Sequence, residues 1–296
     1  MKTERATLRT TESQVRRITL YGMVINLLLS GLKFAGGTIA SSQALIADAF
    51  HSLSDTVTDL IVIIGVRFWQ APPDTKHPYG HGRIETVAAL LIGTLLGAVG
   101  IGLAYNAISD INKQQSRTIG WTAFTIACLS IVLKEIIYRY TIAKARKIKS
   151  SALAANAWHH RSDALSSVPV ALAAAVNRLT GGWEGLDSIA AVIVSLMIVQ
   201  AAWRIVKPAL EELVDAGLDK DHCTGISKLA QSVDGVVETH ALRSRKLGSG
   251  IIIDLHVLVN ANLTVAQGHE IATNVKHKLM NGETDILDVI VHIEPA

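Results

Sequence analysis

The chain has 296 residues, 49% of them hydrophobic and only 18% charged, with a formal net charge of +3 and a mean hydropathy of +0.34. Soluble domains carry about 25% charged residues, so this composition excludes an ordinary soluble enzyme and indicates several membrane spans. The small net charge, without a basic stripe, excludes a nucleic-acid binder, and two distant cysteines, Cys128 and Cys223, supply neither a disulfide framework nor a thiolate metal cage.

Residues 1–17 are polar and of mixed charge, unlike a cleaved signal peptide, and read as a cytoplasmic tail. A membrane-spanning helix takes about 20 mostly apolar residues. Segments 18–40, 84–109, 118–143 and 185–206 satisfy this, the third with Lys134, Glu135 and Arg139 near one end. Segments 43–69 and 151–177 have the length but carry ionisable groups. The first holds Asp48, His51, Asp55 and Asp59; the second holds His159, His160, Arg161 and Asp163. Counting both gives six spans over 18–207 with short connections. Segments 1–17, 67–83 and 139–149 hold 13 Lys and Arg, against 3 in the opposite loops. The positive-inside rule then puts both termini in the cytoplasm, and the expected location is the inner membrane of a prokaryote.

After Pro208 the pattern changes, and 208–296 reads as a second domain. A helix is expected over 219–233, strands over 236–247 and 251–259 with a turn at 248–250, an amphipathic helix over 264–280, and an alternating strand over 286–293. The order αββαβ predicts a small α+β domain with one antiparallel sheet and its helices on a single face. About 80 residues suffice for a modest independent core.

Residues 44–55 (ALIADAFHSLSD) and 152–163 (ALAANAWHHRSD) agree at 7 of 12 positions, His and Asp among them. Two spans lie between the two copies, so they run in opposite directions across the bilayer. Inverted repeats of this kind place a transporter's binding site between pseudo-symmetric halves.

His51 and Asp55 are four residues apart, as are His159 and Asp163, so each pair shares one helical face. Two such helices offer two imidazoles and two carboxylates, an N/O set suited to zinc and tolerable for cobalt, cadmium, iron or manganese. Isolated intramembrane carboxylates are costly, and a divalent cation or protons would balance them. Asp48 and Asp59 extend the acidic face as candidate entry-path or proton-handling groups, with polar contacts to neighbouring helices as the alternative. In the loop before the third span, Asp74, His77 and His81 sit around Pro78, Gly80 and Gly82, and a turn there brings them together as a peripheral metal site. In the terminal domain, strand residues His240, His256 and His292, with Glu294 on the same face as His292, form a candidate metal-sensing cluster.

These motifs together, HSLSD in the second span, HPYGHG before the third, HHRSD in the fifth and a histidine-bearing αββαβ tail, resemble the cation diffusion facilitator family over essentially the whole chain. The resemblance implies a homodimeric antiporter that exports divalent metal from the cytoplasm against protons, with a ferredoxin-like terminal domain. It also implies His51, Asp55, His159 and Asp163 as the transport site, Asp74, His77 and His81 as a loop site, and His256, His269, His292 and Glu294 as the terminal site. Arg83 and Asp215 match a charge pair that joins protomers at the membrane surface in relatives. The expected cargo is Zn2+, with Fe2+, Mn2+, Cd2+ or Co2+ as alternatives; the metal also serves as regulator, and no organic cofactor is expected. The expected partners are metal ions, protons, the lipid bilayer and a second copy of the chain. An intramembrane metal-dependent hydrolase is the rival enzyme reading, but no HExxH-type signature appears. A non-transporting metal sensor or scaffold is the other rival.

Overall fold

The computed structural model describes residues 2–69, 71–112, 121–148, 151–180, 185–248, 250–282 and 285–296, without the side chains of 2–17, 59, 62, 66, 112, 148, 151, 152 and 155. In chain order the elements are α1 (Lys2–Ile39), α2 (Gln43–Trp69), α3 (Arg83–Asn112), α4 (Trp121–Ile148), α5 (Ser151–Leu179), α6 (Leu186–Leu213), α7 (Lys220–Gln231), β1 (Glu238–Leu247), β2 (Gly250–Val259), α8 (Val265–Gly282) and β3 (Ile286–Pro295). They fall into two compact units, residues 1–64 with 92–204 and residues 65–91 with 205–296.

The first unit is a bundle with a polar, small-residue interior. Segments Ile18–Ile39, Gln43–Trp69, Arg83–Ile111, Trp121–Lys147 and Leu186–Leu213 are long and apolar enough to cross a membrane. α5 matches them in length at 29 residues, but its serines and its ionisable motif keep it below that apolarity. Large apolar side chains such as Leu28, Leu95, Ile101, Leu165, Leu172 and Leu196 point outward, whereas Ala44, Ala47, Ser52, Ala157, Ser166 and Ser167 lie inside. Lipid is as apolar as leucine, so helix association relies on close approach of small residues and on interhelical hydrogen bonds. α4 packs along α5, and α1 packs against both. Pro169 lies inside α5 and withholds the amide that would bond the Leu165 carbonyl.

The start of α2 is held from another helix. Asp187 of α6 accepts the Ser42 hydroxyl at 2.6 Å and the Gln43 backbone N–H at 2.6 Å, capping otherwise unsatisfied donors at the α2 N-terminus. The Gln43 side chain donates to Asp110 of α3 at 2.6 Å. These bonds fix the end of the helix that carries His51 and Asp55.

In the second unit the sheet has the order β1-β2-β3. β1 and β2 are antiparallel, as expected from the tight turn, but β2 and β3 are parallel. The expectation of a wholly antiparallel sheet is therefore corrected. β2, α8 and β3 make a crossover, and a helix-length connection returns the chain to the same end of the sheet, which a hairpin turn does not. The buried side of β2 presents Ile253, Leu255, Val257 and Val259 to Ile226 and Ala230 of α7 and Val275 and Leu279 of α8. That apolar layer leaves the opposite face of β2, with His256, for chemistry. Asp219 caps α7 by accepting the His222 backbone N–H at 3.0 Å.

Candidate metal centres

The first candidate centre lies between α2 and α5. Ligand atoms of His51, Asp55 and Asp163 all fall within 4.8 Å of one another. His51 and Asp163 are buried. Asp55 reaches them because it stands one helical turn beyond His51. His51 Nδ1, Asp55 Oδ2 and Asp163 Oδ2 are buried with no hydrogen-bond partner among the described residues. Buried polar atoms are normally satisfied, so three converging residues that each carry an orphaned buried atom fit a cation. His159 stands apart from that trio: its Nδ1 is 3.6 Å from Asp163 Oδ1 and its side chain is 46% exposed.

Asp48 has a different environment. Its Oδ1 accepts the Ser166 hydroxyl at 2.7 Å and its Oδ2 accepts the Ser167 hydroxyl at 2.6 Å, with Lys33 Nζ 2.8 Å from that same Oδ2. Both of its oxygens accept hydrogen bonds, whereas Asp55 Oδ2 and Asp163 Oδ2 accept none. Asp59 lies on α2, with its side chain outside the described residues.

Two lysines escaped the sequence reading of the site. Lys33 of α1 and Lys134 of α4 are both fully buried. The signal was available, since an ionisable residue in the middle of an apolar span such as 18–39 marks function by default.

The second centre is in the loop before α3. Asp74 Oδ1 accepts the His77 backbone N–H at 2.6 Å and that of Lys76 at 2.8 Å. These backbone donors, that of His77 first, hold the Asp74 carboxyl below its usual range. His77 Nδ1 is 3.3 Å from Asp74 Oδ1, and His81 Nε2 is 3.5 Å from Asp74 Oδ2. Gly80 at φ +86° permits the return that brings the two imidazoles together, tilted and 4.4 Å apart. Asp74, His77 and His81 thus converge.

The third centre follows from strand register. His240 on β1 pairs with His256 on β2, and His256 pairs with His292 on β3. The three imidazoles therefore form a row across the sheet, with centroids 5.2 Å and 4.7 Å apart. Glu294 shares the His292 face and reaches His256 at 2.8 Å, His240 at 3.1 Å and His292 at 3.6 Å. His240, His256 and Glu294 each bring a ligand atom within 4.8 Å of the others. His269 stands on α8 away from that trio and lines a cleft with His292 and Val259.

Arg83 and Asp215 meet within one chain. The guanidinium bonds both the Asp215 carboxylate and the Glu212 carbonyl, where α6 ends with Asp215 in the left-handed region at φ +56°. Glu212 was not anticipated from sequence. Its carboxylate accepts the Thr86 hydroxyl at 2.6 Å and the Gly248 backbone N–H at 2.8 Å.

Comparison with known proteins accords with these features. Residues 19–214 match the family described as cation efflux transmembrane domain, and residues 218–296 match the cation efflux protein cytoplasmic domain. An uncharacterized transporter of Methanocaldococcus jannaschii is 35% identical over 95% of this chain and 98% of its own. Metal tolerance protein C1 of Arabidopsis thaliana is 34% identical over 95% of this chain, which spans 62% of that relative's length. The manganese efflux system protein MneP of Bacillus subtilis is 28% identical over 95% of this chain and 96% of its own. Family members are transporters rather than enzymes, which sets aside the hydrolase reading. The chain belongs to the cation diffusion facilitator family and is an integral-membrane divalent metal cation efflux transporter.

Proposed function

We propose that the protein is a homodimeric zinc/proton antiporter whose cargo binds His51, Asp55, His159 and Asp163. The observation that carries this reading is that His51, Asp55 and Asp163 each bring a ligand atom within 4.8 Å of the others, and each carries a buried atom without a hydrogen bond. Imidazole nitrogen with carboxylate oxygen is a donor set that zinc accepts in tetrahedral geometry. Imidazole ligates only when neutral, so metal loading expels protons and proton uptake releases metal. With the site open to the cytoplasm, metal displaces protons; rocking of the helices then exposes it outward, where protons re-enter. The loop centre at Asp74, His77 and His81 serves as an accessory site. The terminal centre at His240, His256, His292 and Glu294, with His269 nearby, senses metal and draws two copies together. Asp48 and Asp59 serve the entry or proton path, and Arg83 with Asp215 braces the membrane surface of each protomer.

Manganese is the second reading, favoured by the name of the Bacillus subtilis relative and by the two carboxylates, since oxygen ligands suit manganese. Flux in proteoliposomes under an imposed pH gradient tests both. Gradient-driven zinc flux that Asp163→Ala abolishes supports the antiporter; flux indifferent to the gradient removes proton coupling. A manganese preference replaces zinc with the second reading. No flux for any metal turns the assignment to a sensor or scaffold.

A further inference from the structure

The transport centre holds a cation of its own. Lys134 Nζ, fully buried, lies 3.5 Å from Asp163 Oδ2 and 3.4 Å from the Ser52 hydroxyl. Ser52 is adjacent in sequence to His51 and also accepts Lys33 Nζ at 3.0 Å. The two lysines are held differently. Lys33 is locked, with Asp48 at 2.8 Å and the Ser167 hydroxyl at 3.0 Å. Lys134 stands near Asp163 without making a hydrogen bond to it, because Asp163 Oδ2 has no hydrogen-bond partner. A charge at 3.5 Å still interacts strongly in a poorly screened interior. The lone pairs of Asp163 stay free for a metal.

We propose that Lys134 is a resident counter-cation that makes the centre selective for divalent over monovalent ions. It balances Asp163 while cargo is absent. The centre offers two carboxyl groups, Asp55 and Asp163, and Lys134 tethers beside Asp163 an amine that cannot diffuse away. A sodium or potassium ion brings the same single charge as the tethered ammonium and must give up its hydration, so it gains nothing by entering. A divalent cation brings twice the charge and takes the imidazole nitrogen of His51 as well, so it binds against the ammonium's repulsion. The Lys33–Asp48 pair keeps Ser52 oriented and holds Lys134 at its distance. Lys134 is thus a specificity-determining residue that sets the charge of the site without ligating the cargo.

This inference rests on His51, Asp55 and Asp163 being the transport site. The test is zinc titration calorimetry on the full-length purified protein carrying His81→Ala and His256→Ala, so that the intramembrane centre alone titrates. Measurements are made with and without sodium at ~0.15 M, a physiological ionic strength, using a bulky organic cation as the replacement. Lys134→Met is expected to raise zinc affinity about tenfold or more in the absence of sodium, equivalent to ~1.4 kcal/mol, and to make that affinity fall when sodium is added. Lys134→Arg keeps the charge and is expected to retain the native affinity and sodium indifference; Lys134→Gln repeats the reading should the Met variant not fold. Unchanged or weakened zinc binding in folded neutral variants, with sodium still ignored, overturns the proposal. Asp163→Asn separates the two levels: if zinc binding survives it, the assignment of the centre itself fails.

Discussion

The Glu212 carboxylate accepts the backbone N–H of Gly248 at 2.8 Å, joining the end of α6 to the β1–β2 turn. The same oxygen accepts the Thr86 hydroxyl of α3 at 2.6 Å. Gly248 sits at φ +57°, a left-handed conformation that glycine adopts without strain. Glu212→Ala leaves a part-buried amide and hydroxyl unpaired, and bonds to a charged acceptor are worth about 1.5–3 kcal/mol each. The variant is expected to lower stability by about 1–3 kcal/mol and to speed hydrogen exchange in the β1–β2 turn. Glu212→Gln keeps an acceptor oxygen and retains most of the protection. Unchanged exchange at 247–250 in the alanine variant would remove this tie.

Changing the donor set of the transport centre should change its cargo. His51 is the buried imidazole among the three converging ligands, and its replacement by aspartate leaves a site dominated by oxygen. Carboxylate oxygen suits manganese, whereas imidazole suits zinc. His51→Asp is expected to move the manganese-to-zinc flux ratio upward by about tenfold, or ~1.4 kcal/mol of selectivity. Flux assays with both metals in one liposome population read the ratio directly. A variant whose ratio equals that of the native protein would show that His51 does not set selectivity.

In the terminal domain Glu294 stands among three imidazoles, whereas His269 stands outside the trio of His240, His256 and Glu294. Glu294→Gln removes the charge that the histidines share and is expected to weaken zinc binding there by about tenfold or more. His269→Ala is expected to leave the metal count unchanged. Equilibrium dialysis of the full chain carrying Asp163→Ala and His81→Ala isolates this centre. Loss of a metal on His269→Ala would enlarge the site to include α8.

Local spacing made much of the architecture legible. An i,i+4 pair shares a helical face whatever surrounds it, so His51 with Asp55 and His159 with Asp163 follow from sequence alone. Period-2 alternation likewise placed His292 and Glu294 on one face of β3. Register across strands is not local, and the row His240, His256, His292 required the parallel pairing of β3 that the expectation of an antiparallel sheet lacked. The roles of Lys33 and Lys134 depend on which helices neighbour α2 and α5, which no spacing within one helix encodes. The Glu212 tie needs three segments separated by more than thirty residues each. His159 marks a further limit. Its position matches His51 in the repeat, yet its side chain is half exposed, because symmetry in sequence does not impose symmetry of burial.

At the loop centre, the Asp74 carboxylate persists into acid. The His77 and Lys76 backbone amides hold the Asp74 carboxyl below its ordinary range. A depressed carboxyl contributes stability that is present above its unfolded value of about 3.9 and is lost as pH falls through the lower folded value. The turn at 74–77 is therefore expected to persist from neutral pH down past pH ~4. Metal lost from this loop in milder acid is then not lost through protonation of Asp74. The His77 amide shift, followed by NMR through an acid titration, is expected to move with a midpoint below that of an unfolded aspartate peptide. Asp74→Asn should abolish that low midpoint and weaken the loop metal. A His77 amide that titrates at the unfolded value would show that the backbone donors do not hold the carboxylate.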